Sequence, residues 1–140
     1  MLRVAVNGAL GRMGGAAAEA VAAADDLALG AAVAREGHPA LGRELLGVVV
    51  GADLGAALRE VDVAVDFTNP AAAIAFVEAC AEAGVPAITG TTGLAAEHFE
   101  RVAALSERIA VLASPNMAAG VNLLFRLAGD AARALADFDV

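Results

Sequence analysis

Lysine is absent: all nine basic residues are arginine, set against 17 acidic ones, and the formal net charge is −8. Nucleic-acid binding rests on neutralising phosphates, so this balance argues against a nucleic-acid partner. It also opposes any anionic ligand at long range, although salt screens that field beyond roughly 8 Å. An anionic ligand would have to be held by local donors. Cysteine is nearly absent, and Cys80 alone leaves no partner for an internal disulfide. That usage fits a reducing, cytoplasmic setting. Cys80 falls on an apolar helical segment and reads as a buried structural thiol rather than a nucleophile.

Histidine is scarce too. His38 and His98 lie far apart, and with one cysteine they offer no metal-ligand spacing. His98 falls in a helical pattern and His38 in an irregular one, so both are expected on the solvated surface. Ser106 and Ser114 lie in no G-x-S-x-G context, which removes the serine-nucleophile reading. No apolar run approaches the ~20 residues of a spanning helix. The longest uncharged stretch, "IAVLASPNMAAGVNLLF", is broken by Pro115 and two asparagines. The N-terminus lacks the basic-then-apolar layout of a signal peptide. A soluble chain without a membrane partner is expected.

What is present is an alternation of short β-branched runs with alanine-rich helical stretches. Six strands are expected: Leu2 to Asn7, Leu27 to Ala34, "GVVVG", "VDVAVDF", "VPAITG" and "IAVLAS". Helices follow from Arg12 to Ala24, in "DLGAALREV" with Asp53 as N-cap, and in "NPAAAIAFVEACAEAG" with Pro70 in its first turn and Gly84 at its end. Two more are "AAEHFERVAALSERI" and the closing "NMAAGVNLLFRLAGDAARALADF". The segment "REGHPALGRELLG" is expected to be a mobile surface loop. Strands alternating with helices imply parallel pairing, covered on both faces. The 140 residues are therefore expected to form one α/β domain with a doubly wound, Rossmann-like parallel sheet.

Ligands of such sheets bind outside the carboxyl ends of the strands. The segments there are "NGALGRMG", "AREG", "DFTNP", "GTTG" and "SPNM", all short, polar or glycine-rich. Gly8, Gly11 and Gly14 follow a strand and open a helix, the context of a dinucleotide fingerprint in a G-x-x-G-x-x-G variant. Gly8 would allow the turn, Gly11 the approach of a pyrophosphate, and Gly14 close helix–strand packing. An NAD site usually places a carboxylate at the end of the second strand. Here Ala34 and Arg35 stand there, which favours a 2′-phosphate, with Arg35 as its main partner and Arg12 as a second. NADPH is thus the expected cofactor and NADH the alternative. Glu36 could pair with either arginine or with neither. Asp66 ends a strand near the site, where capping or bracing a loop is expected rather than acid–base work.

Taken together, "GALGRMG", "VDFTNP", "GTTG" and "SPNMAAGVNLL" resemble the 4-hydroxy-tetrahydrodipicolinate reductase (dihydrodipicolinate reductase) family of lysine and diaminopimelate biosynthesis. The resemblance runs along essentially the whole chain. It implies an oxidoreductase in which hydride passes from NAD(P)H to a cyclic dicarboxylate. It makes Gly8, Ala9, Leu10, Gly11, Arg12 and Met13 the pyrophosphate loop. Arg35 matches the basic residue near the adenosine ribose, while Ala34 departs from the family's usual acidic residue. Gly90, Thr91 and Thr92 match the segment lining the nicotinamide. Ser114, Pro115, Asn116 and Met117 match the segment closing over its ribose and carboxamide. Phe67 and Thr68 would lie beside the cofactor.

The resemblance also implies a second, substrate-binding domain after the last helix, with a His-His pair, a lysine and a Ser-Gly-Thr loop; none of these stands in this chain. No catalytic residue is therefore assigned. The expectation is a cofactor-binding portion that is catalytically incomplete, and monomeric where the full-length family is tetrameric. The other readings are a different NADP-dependent Rossmann reductase of amino-acid metabolism, or a stand-alone nucleotide-binding module.

Overall fold

The computed structural model describes residues 1–138. Strands β1 (Leu2–Asn7), β2 (Leu27–Val33), β3 (Glu44–Leu45), β4 (Val48–Gly51), β5 (Val63–Asp66), β6 (Ala87–Thr89) and β7 (Val111–Ala113) form one sheet. Its order is β3-β4-β2-β1-β5-β6-β7. Every pairing is parallel except β3 with β4. The helices are α1 (Arg12–Ala23), α2 (Leu54–Leu58), α3 (Pro70–Ala83), α4 (Ala96–Leu105) and α5 (Ala119–Ala134). From β1 the chain winds outward through β2 to β4, then returns to β1's other side at β5. The carboxyl ends of β1 and β5 therefore flank the point where strand order reverses, the place such folds offer to a ligand.

Local chemistry explains the boundaries. Asp53 caps α2, its Oδ1 accepting from the Ala56 N–H at 2.8 Å. Asn69 caps α3, where Pro70 occupies the first turn and Gly84 ends the helix in the left-handed region at φ 72°. Two apolar layers hold the sheet. Phe76, Val77 and Cys80 of α3 pack with Ala64, Ala87, Leu105 and Ile109 on one side. Ala18 and Val21 of α1 pack with Val4, Val6, Ala32 and Val50 on the other. No residue of α5 is buried, and Leu123, Leu124, Phe125 and Leu127 are all exposed.

Two expectations need correction. The segment read as a mobile loop contains a seventh strand: Glu44–Leu45 pairs antiparallel with Val48–Val49 across a turn at Leu46 and Gly47. Both turn residues have positive φ, 52° and 84°, as a tight two-residue hairpin requires. Hydrogen bonds from Gly42 N–H to Val50 C=O and from Val50 N–H to Arg43 C=O pin the rest of the segment to β4. His38 is not fully solvated: it is half-buried, and its Nδ1 accepts from the Ala40 N–H at 3.2 Å. His98 is likewise half-buried and caps the start of α4, its Nδ1 accepting from the Ala95 N–H at 2.9 Å.

Candidate functional site

A cavity of about 500 Å³ opens at the carboxyl end of the sheet, where strand order reverses. Asn7, Gly8, Leu10 and Gly11 form one wall; Val33, Ala34, Arg35, Glu36 and His38 form a second. Phe67, Thr68, Asn69 and Ala72 close the third, with Ala52 and Leu54 completing the lining. The first wall is shaped by glycine. Gly8 has φ 76°, and its N–H and that of Ala9 both donate to the Val33 C=O, drawing the loop across β2. A Cβ on Gly14 would stand 2.0 Å from the Gly8 carbonyl oxygen, so only glycine lets α1 start this close to the loop. At Gly11 the tightest contact would be 3.2 Å, so packing demands glycine there much less strongly. Gly11 is exposed and lines the cavity. Helix α1 begins there with no side-chain cap and no acidic residue in its first turn, leaving its positive end for a ligand.

On the second wall, Arg35 is followed by a tight turn, His38 N–H to Arg35 C=O at 3.2 Å, with Gly37 at φ 73°. That turn brings His38 back to the cavity. Among the described residues, neither Arg35 nor Arg12 forms an ion pair; the pairs are Arg3–Glu60, Arg101–Glu78 and Arg133–Asp130. Glu36 therefore neutralises neither of them. The end of β2 carries no carboxylate, since Val33 and Ala34 stand there.

The third wall rests on Asp66, which is 0% exposed. Its Oδ1 accepts from Asn7 Nδ2 at 2.9 Å and from Thr68 Oγ1 at 2.7 Å. Its Oδ2 accepts from Thr89 Oγ1 at 3.0 Å and from Thr91 Oγ1 at 2.7 Å. The hydroxyls accept in turn: Thr91 Oγ1 from the Thr68 N–H and Thr89 Oγ1 from the Thr91 N–H. A buried carboxylate must be matched by donors, and four of them satisfy this one. The ends of β1, β5 and β6 are thereby tied to one group, which is the loop-bracing expected of Asp66. Behind it, burial first and the Asp66 charge second push the Cys80 thiol up to about 12. The buried thiol is no nucleophile.

Of the residues singled out from sequence, Gly8, Leu10, Gly11, Arg35, Phe67 and Thr68 meet at the cavity. Ala9 is buried beside it, and Arg12 and Met13 are exposed at the start of α1. Gly90, Thr91 and Thr92 follow β6, and Ser114 to Met117 follow β7, further along the same rim of the sheet and outside the cavity lining. Thr91 is only 3% exposed, its hydroxyl spent on Asp66. The second segment is folded on itself: Ser114 Oγ donates to the Asn116 C=O, and Asn116 Oδ1 accepts from the Ala118 N–H. Asn7, His38 and Thr89 were not singled out for the site. Asn7 and Thr89 do end strands of the expected sheet, a signal that strand-end polar residues share.

Comparisons with known proteins show which family the chain is similar to. Residues 2–117 match the family model described as dihydrodipicolinate reductase, N-terminus. A 4-hydroxy-tetrahydrodipicolinate reductase of Thiobacillus denitrificans is 46% identical over 143 residues, 97% of this chain and 54% of the relative. One from an Anaeromyxobacter species is also 46% identical, over all of this chain and 55% of its own length. Among solved structures, the dihydrodipicolinate reductase of Paenisporosarcina sp. TG-14, solved with dipicolinate bound, superposes with a TM-score of 0.80 at 27% identity. That match covers 94% of this chain and 54% of that one. The apo scyllo-inositol dehydrogenase of Lactobacillus casei, at 20% identity and a TM-score of 0.68, shares the fold. The chain thus spans about half the length of the relatives it matches. On these matches, the chain belongs to the dihydrodipicolinate reductase family, as its N-terminal part.

Proposed function

We propose that this chain is the cofactor-holding part of a 4-hydroxy-tetrahydrodipicolinate reductase, and that it takes NADPH in preference to NADH. The observation that carries the reading is the second wall: an Arg35 in no ion pair among the described residues, beside a strand end without a carboxylate. A carboxylate there would accept from the ribose 2′-hydroxyl and repel a 2′-phosphate; a guanidinium does the reverse. Arg12, at the start of α1 and in no ion pair among the described residues, is the second candidate for that phosphate.

The residues present fit a dinucleotide. Gly8 and Gly14 hold the loop–helix approach open, and the uncapped end of α1 offers N–H groups to a pyrophosphate at Gly8 to Met13. Gly90, Thr91 and Thr92 with Ser114, Pro115, Asn116 and Met117 are the candidates for the nicotinamide end, along the rim from β6 to β7. When bound, the cofactor supplies hydride to a cyclic dicarboxylate of the kind bound in the Paenisporosarcina structure. The residues described here bind and orient. A cytoplasmic site of action follows from the same reading.

Calorimetric titration of the chain with NADPH and with NADH tests it. NADPH should bind more tightly, and Arg35→Ala should weaken NADPH about 10- to 100-fold, the worth of a charge-assisted hydrogen bond, while leaving NADH nearly unchanged. Equal binding of both cofactors would sink the argument from Ala34 and Arg35.

A further inference from the structure

We propose that Asp66 fixes the hydrogen-bond polarity of the cavity wall, making the Thr68 hydroxyl an acceptor toward the ligand. The inference rests on the cavity being a dinucleotide site and deepens that reading. A free threonine hydroxyl rotates to donate or accept as its partner requires. The Thr68 hydroxyl has no such choice. It donates to Asp66 Oδ1 at 2.7 Å, a short, charge-assisted bond, and what remains is lone pairs.

The neighbouring groups cannot release it. Asp66 Oδ2 is taken by the Thr89 and Thr91 hydroxyls, and each of those already accepts a backbone N–H. Asn7, which also lines the cavity, donates one amide N–H to the same Oδ1, so that oxygen too is engaged on both sides. The carboxylate, fully buried, thus imprints acceptor character on the Thr68 hydroxyl from below.

The Thr68 hydroxyl can meet a ligand hydrogen-bond donor, such as a sugar hydroxyl, and offers no proton to a phosphate oxygen. It complements the first and second walls, where the free N–H groups of α1 and the Arg35 guanidinium serve anionic groups. Asp66 is a positioning residue: it acts on the ligand through Thr68.

The test is a double-mutant cycle on the affinity for NADPH, using the 140-residue chain. Asp66→Asn should weaken binding about tenfold and Thr68→Val about fivefold, whereas Thr68→Ser, which keeps the hydroxyl, should bind like the wild type. In the Thr68→Val background, Asp66→Asn should cost much less than it does alone. Additive losses, about fifty-fold in the double variant, would overturn the inference, as would unchanged affinity in Asp66→Asn. A purely structural role would lower stability without producing the coupling. Should Asp66→Asn fail to fold, the Val–Ser contrast at Thr68 decides, and unchanged affinity in Thr68→Val overturns the proposal. A wild-type chain that binds no dinucleotide overturns both readings, and is told apart because it fails before any variant is compared.

Discussion

Gly90 lies against the ring of Phe67: a Cβ at position 90 would stand 2.3 Å from Phe67 Cε1. The contact joins the loop after β6 to a residue that lines the cavity. Gly90→Ala should drive the ring from its place, toward the open side. NADPH affinity should fall by about tenfold, with a stability loss within the ~1–3 kcal/mol typical of overpacking. Calorimetry alongside urea unfolding checks both, and an unchanged affinity would show that the ring's position is immaterial.

Gly14 and Gly11 of the first loop should respond differently. Gly14→Ala places a methyl 2.0 Å from backbone oxygen that cannot move without shifting the whole loop. It should destabilise the fold by about 2–3 kcal/mol and abolish dinucleotide binding. Gly11→Ala meets nothing closer than 3.2 Å. It should leave the stability read from urea unfolding within about 0.5 kcal/mol of wild type and still weaken NADPH several-fold.

Restoring a carboxylate at the end of β2 should reverse the cofactor preference. Ala34→Asp places an acceptor beside Arg35, where a ribose 2′-hydroxyl can use it and a 2′-phosphate cannot. The ratio of NADH to NADPH affinity should rise at least tenfold. Ala34 is buried, so some stability should be lost as well.

The Leu46 turn carries strain that a better turn residue relieves. Leu46 adopts φ 52° while 48% exposed, so little packing would be lost on replacing it. Leu46→Asn gives the hairpin an Asn–Gly pair and should raise stability by about 0.5–1 kcal/mol in urea unfolding.

Cys80 makes stability fall at alkaline pH. Its folded-state value, about 12, lies above the ordinary 9.0, so the native chain holds the proton more tightly than the unfolded one. That contribution is fully present below pH 9 and is lost as pH rises toward 12. Urea midpoints measured between pH 8 and 10.5 should decline, and Cys80→Ala should decline less steeply from a lower starting value. Maleimide should react with Cys80 only at the rate of unfolding.

Much of this was legible in the residues themselves, because it depends on local chemistry. The order of strands and helices follows from apolar periodicity; the ends of α2 and α3 follow from Asp53, Asn69, Pro70 and Gly84, each acting within a few residues of itself. The glycine loop and Arg35 could be found because backbone freedom and charge are properties of single residues. The hairpin at Glu44–Leu45 escaped notice because a two-residue strand has no period to read, and its partner decides whether it exists.

The site's inner layer belonged to tertiary structure alone. Asn7, Asp66, Thr68, Thr89 and Thr91 are scattered over 85 positions and come together only because β1, β5 and β6 are neighbours in the sheet. That Asp66 ends a strand is written in the sequence; that it collects four donors, and so dictates which way a threonine hydroxyl must point, is not. Hydrogen bonds of this kind depend on distances of a few tenths of an ångström between groups far apart along the chain, and only the folded sheet sets those distances.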